Sequence, residues 1–561
     1  MNTRFSLAVI ALLMLSSWAF ADTTWVSAGN VSGNWTAEHS PYVIQGDVHV
    51  PGEQALDIGA GVRVYFDGLY RLEVDSLGSF SAVGAEGDSV VFTTDTLIHP
   101  LRWCGILMHT PADTVRMSYC VIENMRRDST RMQGLPRDTI ANQAALQIEN
   151  GIGLNLSHSR LRYNRGSAMG GALRLYGCDA TITECVFTGN SGGYGGGINL
   201  GSKADIRNCL FEGNASGGGG GAIHVCFGNG ESSIRDCVFR KNWAVTLAPD
   251  GGGAILHHTG ILHVTGCAFL GDSVDVGADG GAINSGAVAA DNPLALTVGD
   301  CLFADNRAGS RGGAIVMANG SMTNCTVVRS YTFGGAAVSW HLERQAEDTV
   351  SVVNTIVANS RRGSGIALFG THAQLRNSLI FGNADGGAVI MSDTLMGRVI
   401  QTNTNGDSCD VYQNIFLDPL FADTAAGDYH LTANSPCIDA GDPASPRDPD
   451  GTVADIGAYY FPQPNAAHRD VILYPSAFSL SSYPNPFNAA TRIAFDLPRE
   501  CRVALQVYDI SGRLVRVLVD GQLKAGQHEA RFDGEGLASG VYFVRLQAGE
   551  LTRMQKIVLM K

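Results

Sequence analysis

Apolar residues along most of this chain fall at alternate positions in short runs bounded by Gly, Asn and Asp. Examples are Ala222-Ile223-His224-Val225 and Ser233-Ile234-Arg235-Asp236-Cys237-Val238-Phe239. Such runs are too short and too β-branched for helices, and they predict strands. One phrase recurs: Asn208-Cys209-Leu210-Phe211-Glu212-Gly213-Asn214, then a glycine-rich run to Gly220-Gly221-Ala222-Ile223. It returns as Cys185-Val186-Phe187, Cys237-Val238-Phe239, Cys301-Leu302-Phe303 and, with Ser for Cys, Ser378-Leu379-Ile380. Successive phrases start at 159, 185, 209, 237, 267, 301, 325, 355 and 378, in steps of 23 to 34 residues. A constant minimum with variable excess means fixed strands joined by elastic loops. An isolated strand pair cannot bury its apolar face, but coils stacked on one another share a continuous interior. The expected fold class is therefore all-β: a right-handed parallel β-helix (solenoid) of ten to fourteen coils, followed by a small antiparallel β-sandwich.

The repeat columns assign roles to residues. Asn164, Asn190, Asn214, Asn242, Asn306, Asn359 and Asn383 close each phrase, where stacked amides can hydrogen-bond along the axis. Glycine pairs such as Gly220-Gly221, Gly252-Gly253 and Gly280-Gly281 mark the next corner. Cys209 with Phe211 and Cys237 with Phe239 are expected to point inward. The chain has 13 cysteines, and seven of them (Cys120, Cys185, Cys209, Cys237, Cys267, Cys301, Cys325) share one column. Parallel stacking would hold them about 4.8 Å apart, wider than a disulfide allows, so they read as small buried hydrophobes. Outside the column, a Cys409 to Cys437 bridge is conceivable on sequence alone.

Four segments follow from changes in pattern. Residues 1–21 carry an apolar stretch and end in Ala19-Phe20-Ala21, the form of a secretory signal peptide. Residues 22–461 hold the repeats with their caps, 462–477 read as a linker, and 478–561 alternate apolar and polar residues as a small sandwich does. Beyond the leader no stretch approaches the roughly 20 apolar residues of a membrane helix. A net charge of −14 makes nucleic acid an unlikely partner.

Candidate chemistry is sparse. Asp448, Asp450 and Asp455 lie in an oxygen-rich turn near Asp439 and Asp442, so Ca²⁺ is the one cofactor they suggest, against a cap-stabilising role. Their spacing lacks the EF-hand loop. His257 and His258 should point to opposite faces, with His263 beyond a turn. Asp250 and Asp279 both precede glycine corners and could form an acid–base pair. Arg207, Arg235 and Arg376 fit solvated strand faces.

Two resemblances extend this reading. Tyr483-Pro484-Asn485-Pro486-Phe487-Asn488, Val507-Tyr508-Asp509-Ile510-Ser511-Gly512-Arg513, Leu537-Ala538-Ser539-Gly540-Val541-Tyr542-Phe543 and Lys556-Ile557-Val558-Leu559-Met560-Lys561 together resemble the C-terminal sorting domain of the type IX secretion system. That implies a Gram-negative host, the secretion machinery as partner through 478–561, and a secreted or surface-attached product. The repeats from Tyr42 to Phe461 resemble right-handed β-helix proteins of the pectate-lyase-like superfamily and of polymorphic outer-membrane proteins. Their motifs are structural, so activity does not follow from them. The expectation is a non-catalytic binding or display scaffold, with polysaccharide as ligand. A secreted polysaccharide lyase or glycoside hydrolase is the alternative, and a structural rod or adhesin the second.

Overall fold

The computed structural model describes residues 23–94, 103–126, 144–226, 230–246, 250–286, 294–340, 348–368, 372–390, 395–463, 479–483, 485, 487–497, 501–524, 526–548 and 551–560. The expected leader, nearly all of the linker and parts of several inter-strand loops lie outside the described residues. The chain divides into two compact units, with the boundary after Gln463.

In the first unit each coil contributes one strand to each of three parallel sheets in turn. Sheet I has 14 strands, from Thr24–Val26 to Leu379–Phe381, and sheet III has 13, from Gly33–Trp35 to Ala373–Arg376. Sheet II runs from Gly29–Asn30 to Ala388–Ile390. The first coil thus begins at Thr24, ahead of Tyr42. Trp35 is buried and stacks on Tyr42 at 4.4 Å, whereas Trp25 stays exposed.

Alternation explains the strands. In Leu154–Ser157 the two leucines are buried and Asn155 is exposed, and the same register repeats at Ala180–Thr183 and Ala204–Arg207. The interior is a set of like-on-like stacks. Phe187, Phe211, Phe239, Phe269 and Phe303 stack nearly parallel, with neighbouring centroids 4.7–4.9 Å apart. That spacing is the inter-strand distance itself.

The amide ladder forms as the columns imply: Asn164 Nδ2 donates to Asn190 Oδ1, Asn190 to Asn214 and Asn214 to Asn242, each at 3.0 Å. Two of its rungs differ from expectation. Asp272 takes the next rung, accepting from Asn242 Nδ2 at 2.9 Å. Asn359 is one residue out of register: it holds a left-handed turn (φ 56°), and Ser360 occupies the ladder place, its N–H donating to Asn383 Oδ1 at 3.0 Å. Ser360 lies five residues past Thr355, the same offset as Asn190 from Cys185, so the rung keeps its spacing and Asn359 is the residue beside it.

The cysteine column is buried and carries free thiols, but it is more than apolar filling. Cys185 N–H donates to Cys209 Sγ at 3.4 Å, and Cys209 Sγ–H points to Arg207 O at 3.2 Å. The same pair of bonds repeats at Cys237 and Cys267. Ser159 and Ser378 fill the same role with hydroxyls. Burial pushes the Cys120 thiol up to about 12, and along the column the sulfurs satisfy backbone donors.

The C-terminal part of this unit does two things. Residues 395–416 close the end of the core with Met396 and Phe416, and Asn414 Oδ1 receives the Ser378 N–H. Residues 418–461 run back over the outer face of sheet I. There Tyr429, Leu431, Cys437 and Ile456 bury Leu302, Ala304, Val328 and Ile356. Cys409 and Cys437 lie in this same cluster as free thiols.

The second unit has a three-stranded antiparallel sheet (Ser479–Tyr483, Ala490–Leu497, Gly526–Asp533) and a four-stranded one (Leu514–Leu523, Cys501–Asp509, Gly540–Ala548, Leu551–Leu559). They enclose Phe487, Ile493, Phe495, Val503, Leu505, Phe532, Val544 and Leu546.

Candidate ligand-binding surface

Between sheets I and II the coils add a short fourth ladder, through Ser191–Tyr194, Ala215–Gly219, Trp243–Ala244, Ser273–Val274, Arg307–Ala308 and the start of Tyr331–Trp340. The glycine corners make it possible. A Cβ on Gly253 would sit 2.2 Å from Gly281 O and 2.4 Å from Ser273 N, and Gly252 has φ +75°. No other residue packs corner on corner at that distance.

This ladder aligns one outward residue per coil, one position after the rung in most coils and two after Ser360 at Arg362. In register these are Arg126, Arg165, Ser191, Ala215, Trp243, Ser273, Arg307, Tyr331 and Arg362. The column holds four arginines, two aromatics and no acid. Trp243 is 45% exposed, and Phe333, two residues beyond Tyr331, is 39% exposed. The Arg307 guanidinium lies 4.9 Å from the Tyr331 ring centroid and that of Arg362 lies 4.6 Å from Phe333. Arg362 also donates to Tyr331 Oη at 3.3 Å.

Among the described residues no carboxylate lies within ion-pairing distance of Arg126, Arg165, Arg307 or Arg362. On neighbouring columns Arg162 meets Glu123 at 2.6 Å, Arg235 meets Asp205 at 2.8 Å and Arg311 meets Asp279 at 2.7 Å. Two shallow depressions flank the column. One, of about 430 Å³, is lined by Arg165, Ser191, Trp243 and Val245. The other, of about 240 Å³, is lined by Ser273, Asp275, Val276, Arg307 and Phe333.

The residues singled out by sequence lie elsewhere. Asp448, Asp450 and Asp455 sit in the returning segment, where their oxygens take backbone N–H groups. Asp448 accepts from Asp455 N at 2.9 Å, Asp450 from Thr452 N at 3.1 Å and Gln463 N at 2.9 Å, and Asp455 from Asp439 N at 2.7 Å and Phe461 N at 2.6 Å. Burial, followed for Asp448 by repulsion from Asp455, raises Asp448 to about 7 and Asp455 to about 6. Asp442 pairs with Arg376. These bonds tie the segment down. Among the described residues, the set of three or more His, Cys, Asp or Glu side chains whose ligand atoms converge within 4.8 Å is a different one, His49, Glu73 and Asp75.

The three histidines stay apart. His257 is enclosed beside Ser285 Oγ at 2.9 Å, and burial lowers it to about 4. His258 lies between His224 at 3.2 Å and Asp250 at 3.7 Å, and His263 faces Glu231 at 3.1 Å. Asp279 is buried under the Arg311 guanidinium and Asp250 adjoins His258, so the two aspartates have separate partners. Sequence reading missed the arginine–aromatic column. Its signal was available one position past the ladder asparagines Asn164, Asn242 and Asn306, where Arg165, Trp243 and Arg307 recur at the same offset.

Stacked parallel coils followed by an antiparallel terminal sandwich define a solenoid with a second module after it. Comparison with known families agrees: residues 77–269 and 150–345 match the right handed beta helix region, and 481–560 match the secretion system C-terminal sorting domain. The protein is a right-handed parallel β-helix protein that ends in a type IX secretion sorting domain. It is therefore secreted or held at the outer-membrane surface of a Bacteroidetes-type Gram-negative bacterium, with the secretion machinery as the partner of its tail. No curated protein matches the chain. No helix among the described residues is long and apolar enough to cross a membrane.

Proposed function

We propose that the exported β-helix binds an anionic polysaccharide laid along the column from Arg126 to Arg362. The observation that carries this is a line of four arginines without carboxylate partners among the described residues, interleaved with Trp243 and Tyr331, on a protein of net charge −14. Guanidinium groups take carboxylate or sulfate oxygens in pairs, and exposed aromatic faces stack on the apolar side of a sugar ring. An extended polymer lying along the axis meets a new side chain about every 4.8 Å, so modest contacts add through repetition.

The test is retention of the protein on uronate-containing, sulfated and neutral polysaccharides in affinity electrophoresis, with Arg307→Ala/Arg362→Ala and Trp243→Ala as variants. Selective retention on an acidic polymer is expected, weakening with salt and by roughly tenfold per arginine removed, since each charge-assisted bond contributes about 1.5–3 kcal/mol. Equal retention on neutral polymers, or an unchanged double variant, would sink the reading. The same mixtures are followed for unsaturated or reducing-end products, whose appearance would replace a binding scaffold by a lyase or hydrolase.

A further inference from the structure

From Gln147 onward, much of the outward column of sheet II is closed over by the corner loops. Asn199, His224, Asn284 and Ser339 are all buried there, with the Tyr194 ring 4.9 Å from His224. In the earliest coils the same face is open, and it carries a different set of residues. His49 on Val48–Val50 is in register with Glu73 on Leu72–Val74. Asp75 follows Glu73 on the same side, and His109 ends the next strand, Ile106–His109. Three successive coils thus place two imidazoles and two carboxylates in one patch.

The distances suit a metal ion. His49 Nδ1 lies 3.7 Å from Asp75 Oδ1 and 3.9 Å from Glu73 Oε2, and His109 Nε2 lies 3.1 Å from Glu73 Oε1. A tetrahedral Zn²⁺ with bonds of about 2.0–2.1 Å separates its ligand atoms by about 3.3 Å. The ligand atoms of His49, Glu73 and Asp75 already lie within 4.8 Å of one another, and His109 adjoins the set through Glu73 Oε1. Behind the patch, His109 Nδ1 faces Glu149 Oε2 at 3.7 Å, and Glu149 is held by Arg174 at 2.9 Å and Gln147 at 2.7 Å. Glu149 is thus a carboxylate neighbour of the imidazole, the type of group that orients a ligating histidine once within hydrogen-bond reach. Arg71 Nε holds Glu73 Oε2 at 3.3 Å, leaving Oε1 turned to His109.

We propose that His49, Glu73, Asp75 and His109 bind one divalent cation of the zinc class, which clips three successive coils near the first end of the solenoid. Two nitrogen ligands favour zinc over calcium or magnesium. An early coil gains most from such a clip, because each coil is supported only by its neighbours.

Chelator-treated full-length protein is titrated with Zn²⁺ by calorimetry and with Co²⁺ by visible absorption. One ion per chain is expected, with tetrahedral Co²⁺ bands and a raised unfolding temperature. His49→Ala and Asp75→Asn are expected to weaken binding at least tenfold, and His263→Ala, which alters a similar His–Glu pair on sheet III, to leave it unchanged. Circular dichroism confirms that the variants fold; should His49→Ala fail, the more exposed Asp75→Asn decides. The absence of a saturable one-to-one site, equal binding by Asp75→Asn, or a thiolate-to-cobalt charge-transfer band would overturn the assignment.

Discussion

Asp272 is a carboxyl group in a column built for amides. Its Oδ1 accepts from Asn242 N and Nδ2, at 2.7 and 2.9 Å, while its own N–H donates to Asn306 Oδ1. Its Oδ2 is buried without a hydrogen-bond partner. In the other rungs this position is an Nδ2 that donates to the previous coil's carbonyl, as Asn242 does to Phe211 O at 3.0 Å. A carboxylate cannot donate there, whereas a protonated carboxyl can. Burial accordingly raises Asp272 to about 7, against about 3.9 in an unfolded chain. Because the folded value is the higher one, the contribution is fully present below about pH 4 and is lost as pH rises toward 7. The size is on the order of 4 kcal/mol across that window. Asp272→Asn should therefore gain stability relative to the native chain between pH 5 and 8, read as the difference between two denaturation series. A difference independent of pH would rule this out.

At the scale of the strand, each inward side chain meets its own kind one coil above and below. Phe239 stacks on Phe211 at 4.9 Å and on Phe269 at 4.7 Å, so Phe239→Ala removes two ring contacts and leaves a void. Such truncations cost about 3–5 kcal/mol. In a one-dimensional array the loss should stay local. Hydrogen exchange should show protection falling in coils between residues 204 and 304 while the Tyr42–Phe66 coils keep theirs. Uniform loss along the array would contradict nearest-neighbour support. The same periodicity aligns the outward arginine–aromatic column, so one register organises both the interior and the proposed binding face.

At the scale of the whole chain, the solenoid and the export address are separate pieces of physics. The terminal unit has its own core, from Phe487 to Leu559, and matches the sorting domain over 481–560. A chain truncated before residue 478 should fold its coils yet remain in the periplasm, as cell fractionation would show. Its appearance in the medium at the native level would remove the address role from the tail.

The amide ladder, the phenylalanine stack, the glycine corners and the terminal sandwich were legible in sequence because they are local or strictly periodic. A column repeated every coil announces itself. Asp272 and Ser360 keep the regular five-residue offset from Cys267 and Thr355, but a column defined by asparagine passes over a rung filled by another residue. The backward run of 418–461 over sheet I escaped for another reason: Leu302 and Ala304 read as outward positions, and only the fold supplies their cover. The His49, Glu73, Asp75 and His109 patch spans 60 residues of chain. Sequence by itself determined the architecture and the destination, through repetition and motif. Which side chains meet was decided by tertiary structure, because contacts across coils depend on loop lengths that the repeat leaves free.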